Sequence, residues 1–233
     1  GGSYDPRFPT DKLAIQDAAH LSVNDSLHDP DLFARYGIDP PWTSSDLNAK
    51  INLPTSDLTP DERALLAEIR DRIGLPDADT VMQKVITPDQ VDAYLGGGGI
   101  PPDQIRGFVT SAPDTAHLGT PRELYDNLAL DYSGSPFTPD ADDITIVRYQ
   151  STNATYEIPR NADFGGARTE PAPFTGNGFT ASTDSAIPEL AVVRNDLDPA
   201  VMGAAEMWQL DSNGIQRLVA VLQGGVWIPV SGR

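Results

Sequence analysis

Apolar residues recur at helical spacing through much of the first half of the chain and gather into strand-like runs toward its end. Thr10 is positioned to cap a short helix carrying Leu13, Ile15, Ala18 and Ala19. Asp29-Pro30 opens another, with Leu32, Phe33 and Tyr36 on one face and Gly37 as its stop. Pro40-Pro41-Trp42 breaks the chain, and the apolar Leu47, Ile51 and Leu53 follow. Residues 1–79 therefore read as a helical arm or subdomain packed on the remainder.

Three further helices share one start signal. Thr59-Pro60-Asp61-Glu62, Thr87-Pro88-Asp89-Gln90 and Thr120-Pro121-Arg122-Glu123 each place Thr at the N-cap, Pro at the first helical position and Glu or Gln two residues later. The hydroxyl and the acidic or amide side chain can each accept from a backbone N–H of the other residue, and Pro lacks the donor that would be orphaned. The first carries Leu65, Leu66, Ile69 and Ile73 before Gly74; the second is short and ends at the 96–99 glycine run; the third carries Leu124, Tyr125, Leu128 and Leu130.

Strand-like runs occupy 81–86, 107–110, 144–150, 155–158 and 190–194. The tail 206–210, 215–222 and 226–230, with turns at Asp211-Ser212-Asn213-Gly214 and Gly224-Gly225, predicts a three-stranded meander. The expectation is an α+β fold: an N-terminal helical region, 1–79, packed on a mixed, mostly antiparallel sheet within an α+β domain, 80–233. The segment 159–178, rich in Gly, Pro, Asn and Ala, is long for a connection and reads as a mobile or ligand-facing loop, flanked by Arg160 and Arg168.

A formal net charge of −18, with no basic stripe, argues against nucleic acid and against anionic membrane surfaces as partners. No apolar run reaches the roughly 20 residues that span a bilayer. The absence of cysteine excludes disulfides, thiolate metal sites and a Cys nucleophile. The start Gly1-Gly2-Ser3 reads as a tag remnant on an excised domain. His20, His28 and His117 are scattered and match no zinc spacing. The Asp-rich stretches lack the EF-hand pattern and read as solvated loops. No Gly-x-Ser-x-Gly elbow and no phosphate loop is present. His117 can act as a base only where the fold brings it to a serine.

One phrase occurs twice: Gly107-Phe108-Val109-Thr110-Ser111 is echoed by Gly178-Phe179-Thr180-Ala181-Ser182-Thr183. Hydroxyls and freed backbone N–H groups at a strand end suit a polar ligand, which makes Thr110, Ser111, Thr180 and Thr183 candidate ligand-binding residues. They equally suit local hydroxyl-to-backbone bonds that end a buried strand. The Trp42, Trp208 and Trp227 rings read as core or rim packing.

Arg148, the hydroxyl strand 180–183 and Glu206 occur in the order Arg, Ser/Thr, Glu, and this resembles ADP-ribosyltransferase-like enzymes. The resemblance implies a catalytic set of Arg148 on the NAD diphosphate or ribose, Ser182 ordering the pocket, and Glu206 stabilising an oxocarbenium ion. Two departures stand against it: Ala181 interrupts the hydroxyl triplet, and Ala204 stands where the first acid of a Glu-x-Glu pair belongs. A second register, through 81–86 and 107–111, has Gln83 or Lys84 where the Arg would stand. As a whole chain, the Thr-Pro helix starts, the Ala/Asp/Pro-rich text, the absence of Cys and Asp57-Leu58-Thr59-Pro60-Asp61-Glu62-Arg63-Ala64-Leu65-Leu66 resemble secreted mycobacterial proteins encoded beside type VII secretion systems. That resemblance implies an extracellular or cell-envelope location.

The expected function is a non-catalytic interaction or ligand-binding module, without metal or cofactor, taking a protein partner or a small polar ligand in a cleft. Its rivals are an NAD-using transferase or glycohydrolase and an accessory component of a type VII secretion system.

Overall fold

The computed structural model describes residues 21–169, 175–193 and 195–230. The helix expected after Thr10, and His20, lie outside them. Short helices α1 (Asn24–Leu27), α2 (Pro30–Arg35) and α3 (Ser44–Ile51) lead into the long α4 (Pro60–Ile73). Then come β1 (Met82–Ile86), α5 (Pro88–Asp92), β2 (Phe108–Ser111), α6 (Ala112–Thr115) and α7 (Pro121–Asn127). Strands β3 (Asp143–Tyr149), β4 (Tyr156–Glu157), β5 (Leu190–Val192), β6 (Ala205–Asp211), β7 (Gln216–Gln223) and β8 (Val226–Pro229) complete the order.

The eight strands form one sheet in the order β4-β5-β2-β1-β3-β6-β7-β8, and every pairing is antiparallel. The class is α+β with a C-terminal meander, and the sheet is purely antiparallel where the sequence suggested a mixed one. Strict alternation sorts the side chains. Met82, Val147, Tyr149, Met207 and Ala220 enter one apolar cluster with Tyr94 and Trp227. Ile144, Ile146 and Leu210 enter a second on the opposite face, covered by Leu124 of α7.

The Thr-Pro starts form as their chemistry dictates at two of three sites. Thr59 and Thr87 make reciprocal capping boxes with Glu62 and Gln90. Thr120 accepts from the Glu123 N–H, but its hydroxyl donates to the Glu123 carboxylate in place of the return bond to the backbone. Helix α3 was hidden behind Pro40-Pro41-Trp42; its signal is Thr43 with Asp46, a complete capping box.

Leu32, Phe33, Leu47, Leu65 and Ile69 of α2–α4 share their cluster with Phe164, Phe179 and Ala186, so the helical layer has its core in common with the 80–233 segment. Arg70 of α4, fully buried, donates from Nε to the Gly178 carbonyl at 2.9 Å and from Nη2 to the Glu189 carbonyl at 3.0 Å. These bonds hold α4 against the stretch 178–189.

The duplicated phrase has a structural counterpart. Phe108 and Val109 pair with Ala191 and Leu190. Phe179 bridges Pro188, and the Glu189 N–H donates to the Gly178 carbonyl. Both copies thus lie antiparallel to one continuous segment, 187–192.

Candidate functional site

The β1–β2 ladder is short. Only Met82 with Ser111 and Gln83 with Thr110 are in register. Beyond them the Lys84 ammonium donates to the Phe108 carbonyl at 3.3 Å. A cavity of about 390 Å³ opens here. Its apolar wall is Val85, Phe108, Leu128, Leu130 and Phe137; its polar groups include Gln83, Lys84, Thr110, Thr180 and Glu189. An apolar chamber with a few convergent polar groups is the usual form of a small-molecule site.

Lys84 is the unusual group. An ammonium has three donors, and among the described residues this one has a single hydrogen bond, with no carboxylate within ion-pair distance. Burial disfavours its charged form and pulls its pKa down to about 8, opposed by the negative charge of Glu189. Gly107 guards the space around it: φ is +80°, and a Cβ there would stand 3.2 Å from Nζ.

Of the sequence-derived candidates, Thr110 and Thr180 come together on this wall. Ser111 does not line it. Its hydroxyl caps α6 and donates to Asp114 at 2.6 Å, and Asp114 also accepts from the Ser22 N–H and hydroxyl. Ser182 and Thr183 line a neighbouring cavity of about 600 Å³ beside Asn48, Asn52 and Asp126. There the Asn52 amide donates to the Ser182 carbonyl at 2.8 Å and the Asn48 amide to the Thr183 carbonyl at 2.9 Å. Ala129 lines both cavities in a left-handed conformation, φ 54°, a cost that only the surrounding packing sustains.

The proposed catalytic set divides. Arg148 and Glu206 face one another across β3 and β6, both buried. With Gln83 and Thr110 they make a continuous polar row over four adjacent strands. Arg148 donates from Nε to Gln83 at 3.2 Å and from Nη2 to Gln216 at 3.0 Å, and its guanidinium lies 5.6 Å from the Trp208 ring. Burial lowers its pKa to about 10 while Glu206 raises it, so it stays charged at neutral pH. The Ser182 hydroxyl is engaged elsewhere: it donates to Asn127 at 2.7 Å and accepts from the Ser185 N–H. Neither Arg148 nor Glu206 lines the Lys84 cavity or the one beside it.

Sequence reading missed Lys84 as a site residue, and Glu189 with it. The available signal was a lone cation in the apolar run Val81-Met82-Gln83-Lys84-Val85-Ile86. The fold also brings His117 to a serine: its Nε2 lies 2.9 Å from the Ser185 hydroxyl. Burial lowers the imidazole pKa against the pull of Glu123, Asp114 and Asp184.

The loop arginines meet protein acids, Arg160 with Asp71 and Arg168 with Glu157. Trp42 packs edge-on against Phe33, and Trp227 against Tyr94. Among the described residues no His/Asp/Glu group is arranged to hold a metal, and no helix is long and apolar enough to cross a membrane. Comparison with protein-family models, curated proteins and solved structures finds no match.

Proposed function

We propose that this protein is a non-catalytic binding module that takes a small molecule, apolar in body with an oxygen-bearing head, into the cavity between β1, β2 and the loop after α7. The observation that carries the reading is Lys84: a sparsely bonded ammonium on the wall of an otherwise largely apolar chamber. The apolar walls receive the body, and Lys84, Thr110 and Thr180 meet the head. The export setting and a protein partner, drawn from the whole-chain resemblance, belong to the same proposal.

Octanoate is a suitable probe, because its tail fits the apolar wall and its carboxylate suits an ammonium. Binding to the folded state alone stabilises it by mass action, about 2.7 kcal/mol at a hundredfold excess over Kd. The expected result is a rise in melting temperature that Thr110→Trp, which fills the cavity, removes. Absence of any rise with octanoate overturns the reading.

A second reading, use of NAD, takes its support from Arg148 lying opposite Glu206. Its test is a melting-temperature rise with millimolar NAD that disappears in Arg148→Ala. We place it second because both side chains are packed into the sheet face.

A further inference from the structure

Resting on the binding reading above, we propose that Lys84 is a carbonyl-capturing amine: a small aldehyde or ketone held in the cavity condenses with Nζ to form a reversible imine.

The geometry supplies what the reaction needs. Lys84, Gly107 and Phe108 all line the cavity, and Nζ lies 3.3 Å from the Phe108 carbonyl and 3.2 Å from where a Gly107 Cβ would stand. Among the described residues its one hydrogen bond is the 3.3 Å contact to the Phe108 carbonyl. The glycine leaves room around it for a tetrahedral adduct.

The step balances without a further reactant. The Nζ lone pair attacks the carbonyl carbon and the C=O π pair moves to oxygen. A proton passes from nitrogen to that oxygen, giving a carbinolamine. The C–O bond then breaks, water leaves and the C=N bond forms, with nothing oxidised or reduced. Solvent relays the protons.

The state of the amine agrees with this use. With a pKa near 8, roughly a tenth of Lys84 is neutral at pH 7, against well under a thousandth of an ordinary lysine. Lysines made nucleophilic by desolvation form imines with carbonyl substrates in general.

The chain holds only two other lysines, Lys12 and Lys50, and Lys50 is ion-paired with Glu62. They make an internal control. The full chain is incubated at pH 7 with octanal and cyanoborohydride, and the octyl groups are mapped by peptide mass spectrometry. The expected result is modification of Lys84 at least about tenfold faster than of Lys50, a preference that urea abolishes and octanoate slows. Lys84→Arg, which keeps the charge, removes the cavity adduct while its melting temperature reports that it is folded. Modification of Lys84 no faster than of Lys50 overturns the inference. If octanoate still raises the melting temperature in that case, the binding reading survives alone; if it does not, both fall.

Discussion

The stem of Arg70 packs against the bare α-carbon of Gly178, where a Cβ would lie 2.8 Å from Arg70 Cγ and 2.9 Å from the Ile158 methyl. The backbone at Gly178 has φ +87°, a region that side-chain-bearing residues rarely adopt. Gly107, the matching glycine of the duplicated phrase, also has positive φ, but its neighbour is the far end of a flexible lysine. Each copy therefore places a glycine against a basic side chain, with unequal tolerance.

That inequality gives a stability prediction. Gly178→Ala combines left-handed strain with a clash against a fully buried side chain, and should cost about 3 kcal/mol or more. Gly107→Ala meets the strain alone, about 1–2 kcal/mol, because Lys84 can move. Urea unfolding of the two variants measures both; equal losses would show that the Arg70 contact is slack.

Arg148 and Glu206 predict a non-additive pair. Arg148→Met leaves the Glu206 carboxylate buried opposite an apolar side chain and should cost about 3–5 kcal/mol. Adding Glu206→Leu removes the buried carboxylate as well, so the double variant should recover most of the loss. A double-mutant cycle in urea reads the coupling. Two independent, additive losses would mean that the polar row across the sheet is not held by charge.

Neighbouring hydroxyls should separate binding from folding. Ser111 caps α6 and bonds Asp114, so Ser111→Ala should cost about 1 kcal/mol while octanoate binding is retained. Thr110 lines the cavity, so Thr110→Val should weaken octanoate binding with little change in stability. Calorimetric titration beside thermal unfolding makes the comparison. The reverse pattern would move the ligand away from this wall.

Much of the fold was legible because its signals are local. A Thr-Pro start satisfies donors within one turn, and the alternation in 143–149 and 205–211 sorts side chains over a few residues. Helix α3 escaped because Thr43 and Asp46 carry the same chemistry without the proline. The site was legible only in part. Thr110 and Thr180 stood out as strand-end hydroxyls, yet their meeting depends on the 187–192 segment pairing with both copies of the phrase. Lys84 entered the sequence reading only as a stand-in for an arginine, because its character comes from where the β1–β2 ladder stops, and a two-pair register leaves no mark in the text. Ser111 looked like its neighbour Thr110, and only the partner Asp114, tied to Ser22, distinguishes a cap from a ligand contact.

The desolvation that frees the Lys84 amine also predicts how stability depends on pH. Its pKa falls from 10.5 unfolded to about 8 folded, so between those values the unfolded chain binds a proton that the folded chain does not. Stability therefore rises with pH across that window, and Lys84 destabilises the fold most below about pH 8. Between pH 7 and 9, wild type should gain roughly 1 kcal/mol relative to Lys84→Met, allowing for solvent that reaches the ammonium through the cavity. Comparing the two proteins cancels titrations that they share. The window also stops short of Tyr94, whose buried hydroxyl is pushed up to about 12, and of Tyr149 and Tyr156, also raised by burial. Those tyrosines act in the opposite sense above pH 10, where the unfolded chain loses protons that the folded chain keeps. Urea unfolding of both proteins at pH 7 and 9 settles the sign. A difference that stays constant would mean that Lys84 remains a well-solvated ammonium, and the basis for its reactivity with carbonyls would go with it.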